Sequence, residues 1–178
     1  ETPPSWPMDV RDKDGVYIVR YKIQSVLPRF DKDAYRAIIA EGLGMWSHVC
    51  GIEFIEDDAS GWGGIEFGLY PQPQPGGVLA DCVVAWDRGP NSNSRMTGRE
   101  WLPLRIDAAE RWSNAQNPSV NAVDPVRVIA HEGGHGMGIS HIDEGNLMSP
   151  MYSVKIKGPQ IGDMRQATAR YGEPRARR

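Results

Sequence analysis

Apolar positions along the chain change their period several times, and the changes mark its elements. Residues 16–24, VYIVRYKIQ, are β-branched and aromatic with partial alternation and predict a strand. Asp31 stands ahead of a stretch in which Tyr35, Ile38, Ile39, Gly42, Met45, Trp46 and Val49 recur at helical spacing, so a capped amphipathic helix is expected there. Short apolar runs at 52–56, 65–69, 78–85 and 102–107, separated by Gly, Pro, Asn and Ser clusters, predict further strands. With the first they imply a five-stranded mixed sheet. Asp124-Pro125 is a helix start, with Asp as N-cap and Pro in the first helical position. A last helix is expected over about 161–171, stopped by Gly172. The sum is an α+β fold with long helices beside one sheet, framed by an N-terminal extension at 1–15 and a C-terminal tail at 173–178.

A length of 178 residues suits one domain with a core and room for a cleft. The formal charge of -3 offers no basic face for nucleic acid, and the basic run Arg175, Arg177, Arg178 reads as a solvated tail. No segment reaches the length of a membrane span, and the chain does not open on a signal peptide, so a processed form is expected. Of the two cysteines, Cys50 and Cys82, the expected topology puts one on each of two separate elements, which favours free thiols.

The chemistry concentrates in His131-Glu132-Gly133-Gly134-His135-Gly136-Met137-Gly138-Ile139-Ser140-His141, a pattern H-E-x-x-H-x-x-G-x-x-H. Helix residues four apart share a face, so the imidazoles of His131 and His135 can converge on one zinc ion. Gly138 can take a positive φ, end the helix and bring His141 back as third ligand. A fourth position stays open for water, and Glu132, beside the ligand face, is placed to take a proton from it. Background residue usage puts a chance match to the five fixed positions on the order of 10⁻⁷ per window. Three of the four histidines fall inside the motif, and the fourth, His48, reads as an ordinary helix histidine. Gly133, Gly134 and Gly136 each weaken a helix interior by about 1 kcal/mol relative to Ala. Zinc is therefore expected to help hold this segment folded.

The motif together with Asn146-Leu147-Met148-Ser149-Pro150-Met151-Tyr152, which supplies a methionine turn at Met148, resembles the metzincin clan and most closely the matrixins. Arg20 to Ile23, Met45 to Val49, Ile52 to Phe54, Val78 to Ala80, Ile106 to Trp112 and Tyr171-Gly172 carry the resemblance over about residues 16–172. It implies a metzincin catalytic domain with an upper lobe of about 16–138 and a lower lobe of about 139–172. It departs from the matrixin pattern where a second, structural zinc would be held: Asp81 and Arg105 occupy those positions, and the loop from Tyr70 to Gly77 is short and lacks an acidic residue. A structural zinc is not expected. Near Asp107 and Glu110 local hydrogen bonds are expected rather than calcium. Ile142 and a slightly shortened stretch to Met148 are further departures.

The resemblance implies a zinc-dependent endopeptidase with one catalytic zinc, held by His131, His135 and His141, and Glu132 as general base. An extended polypeptide substrate would add along the edge at 78–83, contacting the backbone of Leu79 and Ala80. Pro150, Met151 and Tyr152 would wall the pocket for the side chain after the cleaved bond. Arg127 would lie near its floor or stand exposed on the helix. Asp163 matches an aspartate that pairs with a mature N-terminal ammonium. The long insertion from Trp86 to Trp101 is either a specificity loop or a solvated one. The resemblance further implies an extracellular, secreted, monomeric protein. The alternatives are a catalytically silent zinc protein of the same fold that binds a polypeptide partner, and a peptidase restricted to one processing site.

Overall fold

The structure is a computed structural model that describes residues 6–57, 62–71, 76–83, 96–113 and 122–175. Its strands are β1 (Tyr17–Ile23), β2 (Ile52–Glu56), β3 (Gly64–Leu69), β4 (Ala80–Cys82) and β5 (Trp101–Ile106), and its helices α1 (Lys32–Ser47), α2 (Pro125–Gly136) and α3 (Ile161–Tyr171). They form one five-stranded sheet in the order β2-β1-β3-β5-β4. All neighbours are parallel except β4, which runs antiparallel to β5 at the edge. The expected α+β fold with a mixed sheet and long flanking helices is the fold observed.

Strand β1 to strand β2 is a parallel connection and needs a crossover, which α1 supplies. Asp31 caps α1 by accepting from the Ala34 amide at 2.8 Å, and Tyr35, Ile39, Gly42, Leu43 and Trp46 form its buried face. That stripe follows the helical period and lays α1 against α2. The Trp46 indole donates to the Ala130 carbonyl at 2.8 Å, fixing the two helices in register. A Cβ on Gly42 would lie 2.8 Å from the Val126 carbonyl oxygen, so glycine sets how closely the helices approach.

The three glycines of α2 have the same cause. A Cβ at Gly133 would stand 2.7 Å from Leu43 Cδ2, one at Gly136 2.6 Å from Ile65 Cδ1, and one at Gly134 would collide with Met148 Sδ and lie 2.8 Å from Trp46 Cζ2. What reads locally as a weak helix is a helix pressed onto α1, β3 and the methionine turn at once. The lost helix propensity is set against close packing of Trp46, Met148 and Ile65, all fully buried.

The edge strand is shorter than the run 78–85 implies. Regular pairing is confined to Ala80–Cys82, with the Asp107 amide donating to Leu79 O at 2.9 Å and the Val83 amide to Pro103 O at 3.4 Å just beyond it. Positions 84 and 85 lie outside the described residues. Short edges leave few unpaired backbone groups in a row. Across this edge Asp81 faces Arg105 in register, and the guanidinium Nε donates to Asp81 Oδ1 at 3.0 Å with the Tyr70 ring 5.0 Å from its carbon. Ahead of residue 16, Trp6 and Val10 are buried in the same core.

Two glycine substitutions separate the packing account from the propensity account. Gly44, in α1, would meet nothing within 4 Å on gaining a Cβ, so Gly44→Ala should raise the thermal unfolding midpoint by an amount corresponding to about 0.5–1 kcal/mol. Gly134→Ala should lower it by an overpacking cost of about 1–3 kcal/mol, although alanine is the better helix former. A Gly134→Ala chain as stable as its parent in calorimetry would contradict the packing account.

Candidate metal centre

The centre starts at the head of α2, where the Asp124 carboxylate accepts from the Val126 amide at 3.0 Å and Pro125 takes the first helical position, as the sequence predicts. Twelve residues later the helix ends in a tight turn. The Met137 amide donates to Gly133 O and Gly134 O, Gly138 follows with φ of 90°, and the Ile139 amide returns to Gly134 O at 2.9 Å. The positive φ reverses the chain and carries His141 back over the helix. The donor atoms of His131, His135 and His141 all lie within 4.8 Å of one another. Among the described residues no second group of three such donors comes together.

Hydrogen bonding decides which nitrogen each ring presents. His131 Nδ1 lies 2.7 Å from Leu147 O, and His135 Nδ1 lies 2.7 Å from Ile139 O. A carbonyl can only accept, so both Nδ1 atoms carry the proton and both Nε2 atoms are left with a lone pair. Burial pushes the His131 imidazole down to about 4 and lowers His135 as well, which keeps both rings neutral at pH 7. His135 Nε2 and His141 Nε2 nevertheless stand 3.2 Å apart. Two ligands at about 2.0–2.1 Å from a tetrahedral zinc stand roughly 3.3 Å from each other. The donor set and its spacing fit zinc.

Glu132 is 6 % exposed, and burial pushes its carboxyl up to about 8, with the charge of Asp81 acting in the same direction and a backbone hydrogen bond at Cys82 against it. Its Oε2 is buried and finds no hydrogen-bonding partner among the described groups. A divalent cation on the adjacent histidines reverses that balance and favours the carboxylate. The orphaned oxygen is thus a further fit to a metal at this place.

Met148, fully buried, packs against α2 at Gly134, and its turn is held by α3. The Asp163 carboxylate accepts from the Leu147 amide at 2.7 Å, the Met148 amide at 3.0 Å and the Gln160 amide at 2.7 Å. Leu147 O in turn fixes His131. The resemblance pairs Asp163 with an N-terminal ammonium, and Glu1 lies outside the described residues. The buttressing role was missed at the sequence level, although Gln160 and Asp163 have the spacing of a capping box, which α3 does form.

A cavity of about 400 Å³ opens beside the centre, lined by Gly77, Val78, Leu79, Ala80, Arg127, Val128, His131, Glu132, His141, Ser149, Pro150, Met151 and Tyr152. All six residues named from the sequence as substrate contacts, Leu79, Ala80, Arg127, Pro150, Met151 and Tyr152, therefore come together there with Glu132 and two of the histidines. Val78 belongs to the expected substrate edge and Ser149 to the methionine-turn motif, whereas Gly77 and Val128 were not foreseen as lining residues. Arg127 is 3 % exposed, so it does not stand free on the helix: its Nε donates to Ile156 O at 2.6 Å and its guanidinium carbon lies 4.3 Å from the Tyr152 ring centre. A second cavity, of about 500 Å³, shares Val78, Ala80, Glu132 and His141 with the first and adds Asp81, Cys82, His135 and Ser140.

Of the remaining sequence candidates, His48 is exposed at the end of α1 and Cys50 is a buried free thiol, both away from the centre, while Cys82, also a buried free thiol, lines the second cavity. Glu110 accepts from the Gly76 amide and Asp107 from the Ala109 amide. Of the insertion 86–101, positions 86–95 lie outside the described residues.

A family model for the matrixins matches residues 13–172. Matrix metalloproteinase-C of Caenorhabditis elegans is 31% identical over 144 residues, covering 74% of this chain and 22% of that protein. Stromelysin-3 of Mus musculus is 29% identical over 155 residues, 80% of this chain and 28% of its own length, and that of Xenopus laevis 29% over 167 residues, 87% and 31%. The chain thus spans less than a third of the length of these relatives.

Removal of metal tests the site directly. At a free zinc concentration about 100-fold above Kd, binding stabilises the fold by roughly 2.7 kcal/mol, so a chelated chain should unfold at a lower temperature and recover with one equivalent of zinc. His141→Ala, which alters an exposed ring, should leave the chelated midpoint near its parent value and abolish the recovery. Equal midpoints with and without zinc in the parent would count against the centre.

Proposed function

We propose that this chain, which belongs to the matrixin family, is a zinc-dependent endopeptidase that hydrolyses peptide bonds of extended polypeptides. The observation that carries the reading is the convergence of three imidazoles on one point beside the buried, unpartnered Oε2 of Glu132. Zinc held there supplies Lewis acidity, which polarises a peptide carbonyl and acidifies water.

The residues then have separate tasks. Glu132 accepts a proton from the attacking water and passes it to the leaving amine, a transfer its buried position shields from bulk solvent. His131 and His135 keep their Nδ1 protons on backbone carbonyls throughout, so the rings hold their orientation while charge develops nearby. An extended substrate adds as a strand beside β4, pairing with the backbone at Val78 to Ala80, where Val78 is 65 % exposed. The side chain following the cleaved bond enters the cavity walled by Pro150, Met151 and Tyr152. Arg127 closes the inner end of that cavity with a guanidinium fixed to Ile156 O and stacked on Tyr152. A catalytic unit of about 16–172, acting as a monomer in an extracellular setting, completes the proposal and rests on the family resemblance alone. No helix among the described residues is long and apolar enough to cross a membrane.

Cleavage profiling on a peptide library tests this reading. Glu132→Ala should lose at least about 10²-fold in kcat/KM, the lower end for general acid–base groups, while retaining one zinc. Near-full activity of that variant would contradict the mechanism. Arg127→Leu should shift the preference after the cleaved bond towards longer apolar side chains, and an unchanged profile would remove Arg127 from the pocket floor.

A further inference from the structure

The last turn of α2 leaves several carbonyls to be satisfied, and this chain satisfies them partly from within the turn and partly from distant side chains. Those of Gly133, Gly134 and His135 accept from the amides of Met137, Gly138 and Ile139 within the turn itself. The Gly136 carbonyl accepts from the indole Nε1 of Trp6 at 2.8 Å, and the Met137 carbonyl from the Tyr171 hydroxyl at 2.6 Å. These two peptide units lie between His135 and His141. They are held by aromatic side chains from opposite ends of the described chain.

Trp6 stands ahead of the family match, which begins at residue 13, so nothing in the shared pattern accounts for it. Its side chain is fully buried. The segment carrying it is tied down at further points: a Cβ at Gly98 would lie 2.9 Å from Val10 Cγ1 and 3.2 Å from Pro7 Cγ, and Arg11 bridges antiparallel to Tyr17 at the start of β1. Tyr171 is seated edge-on against Tyr17, their ring centres 5.0 Å apart. Both donors therefore project from fixed positions.

What they hold is the glycine-rich turn of the centre. Gly134, Gly136 and Gly138 leave the backbone of this turn with more conformational freedom than any other residues would. Yet the turn must place His141 Nε2 3.2 Å from His135 Nε2, and its Ile139 carbonyl must meet His135 Nδ1. We propose that Trp6 and Tyr171 are positioning residues of the metal centre: by gripping the Gly136 and Met137 carbonyls they hold the turn in its ligating form, so the N-terminal segment of this chain governs how firmly zinc is retained. The proposal rests on the zinc reading of the three histidines.

The test uses the zinc-loaded chain and its Trp6→Phe and Tyr171→Phe variants, each of which removes one donor and keeps an aromatic ring. Two readouts are taken at 25 °C on folded protein: the rate of zinc release to an excess of chromogenic chelator, and the visible spectrum of the cobalt(II)-substituted chain. Each variant should release zinc about 10-fold faster or more, within the 10–100-fold range for residues that orient metal ligands, and should show altered cobalt bands. A lowered unfolding midpoint with unchanged release and unchanged bands is what a merely structural role produces, and it overturns the proposal. Should Trp6→Phe fail to fold, Tyr171→Phe decides by the same two readouts. A parent chain that takes up no zinc overturns the zinc reading itself, and is distinguished from the previous outcome by the metal content of the parent.

Discussion

Two protonated Nδ1 atoms fixed on backbone carbonyls are the constraint on which the rest of this structure depends. Once Leu147 O and Ile139 O accept hydrogen bonds from the Nδ1–H groups of His131 and His135, the opposite nitrogens are left with lone pairs, and His141 Nε2 stands 3.2 Å from that of His135. Two ring nitrogens this close need a proton or a cation between them. The carbonyls come from different parts of the chain, one from the methionine turn and one from the turn that ends α2. Both turns must therefore be held before the rings can be aimed.

Each turn is held by its own device. Asp163, at the head of α3, accepts from the Leu147 and Met148 amides and so supports the carbonyl beneath His131. The turn ending α2 is closed by its own amides and gripped from outside by Trp6 and Tyr171. Between them α2 sits so close to α1, β3 and Met148 that only glycine fits at positions 133, 134 and 136. The close approach is what brings the Met148 side chain against α2 at Gly134. At the opposite edge Asp81 and Arg105 link β4 to β5 by an ion pair and set the strand beside which Glu132 is buried.

Much of this was legible in the sequence, and the boundary has a physical cause. The elements were visible because they are periodic: the stripe of Tyr35, Ile39, Gly42 and Trp46 in α1 repeats a local geometry that sequence spacing encodes directly. His131, His135 and His141 were visible because helix pitch and one glycine turn bring them together without long-range help. Gly134 misled, since its cost is local and its reason, contact with Met148 and Trp46, is tertiary. Trp6 left no pattern, because one buried hydrogen bond to a residue far along the chain has no periodicity to reveal it, and the capping-box spacing of Gln160 and Asp163 signals only the helix start, not the hold of Asp163 on Leu147 and Met148. The edge strand was overestimated at its start for a related reason: the apolar run begins at Val78, whereas β5 ends at Ile106, opposite Ala80.

The central claim is that one zinc ion on these three histidines turns this chain into a peptidase. Stepwise addition of zinc to chelated protein, with cleavage of a peptide mixture followed at each step, tests it most directly. Activity should rise in proportion to zinc and level off at one equivalent. Cleavage by the zinc-free chain, or none with one zinc bound, would contradict the claim.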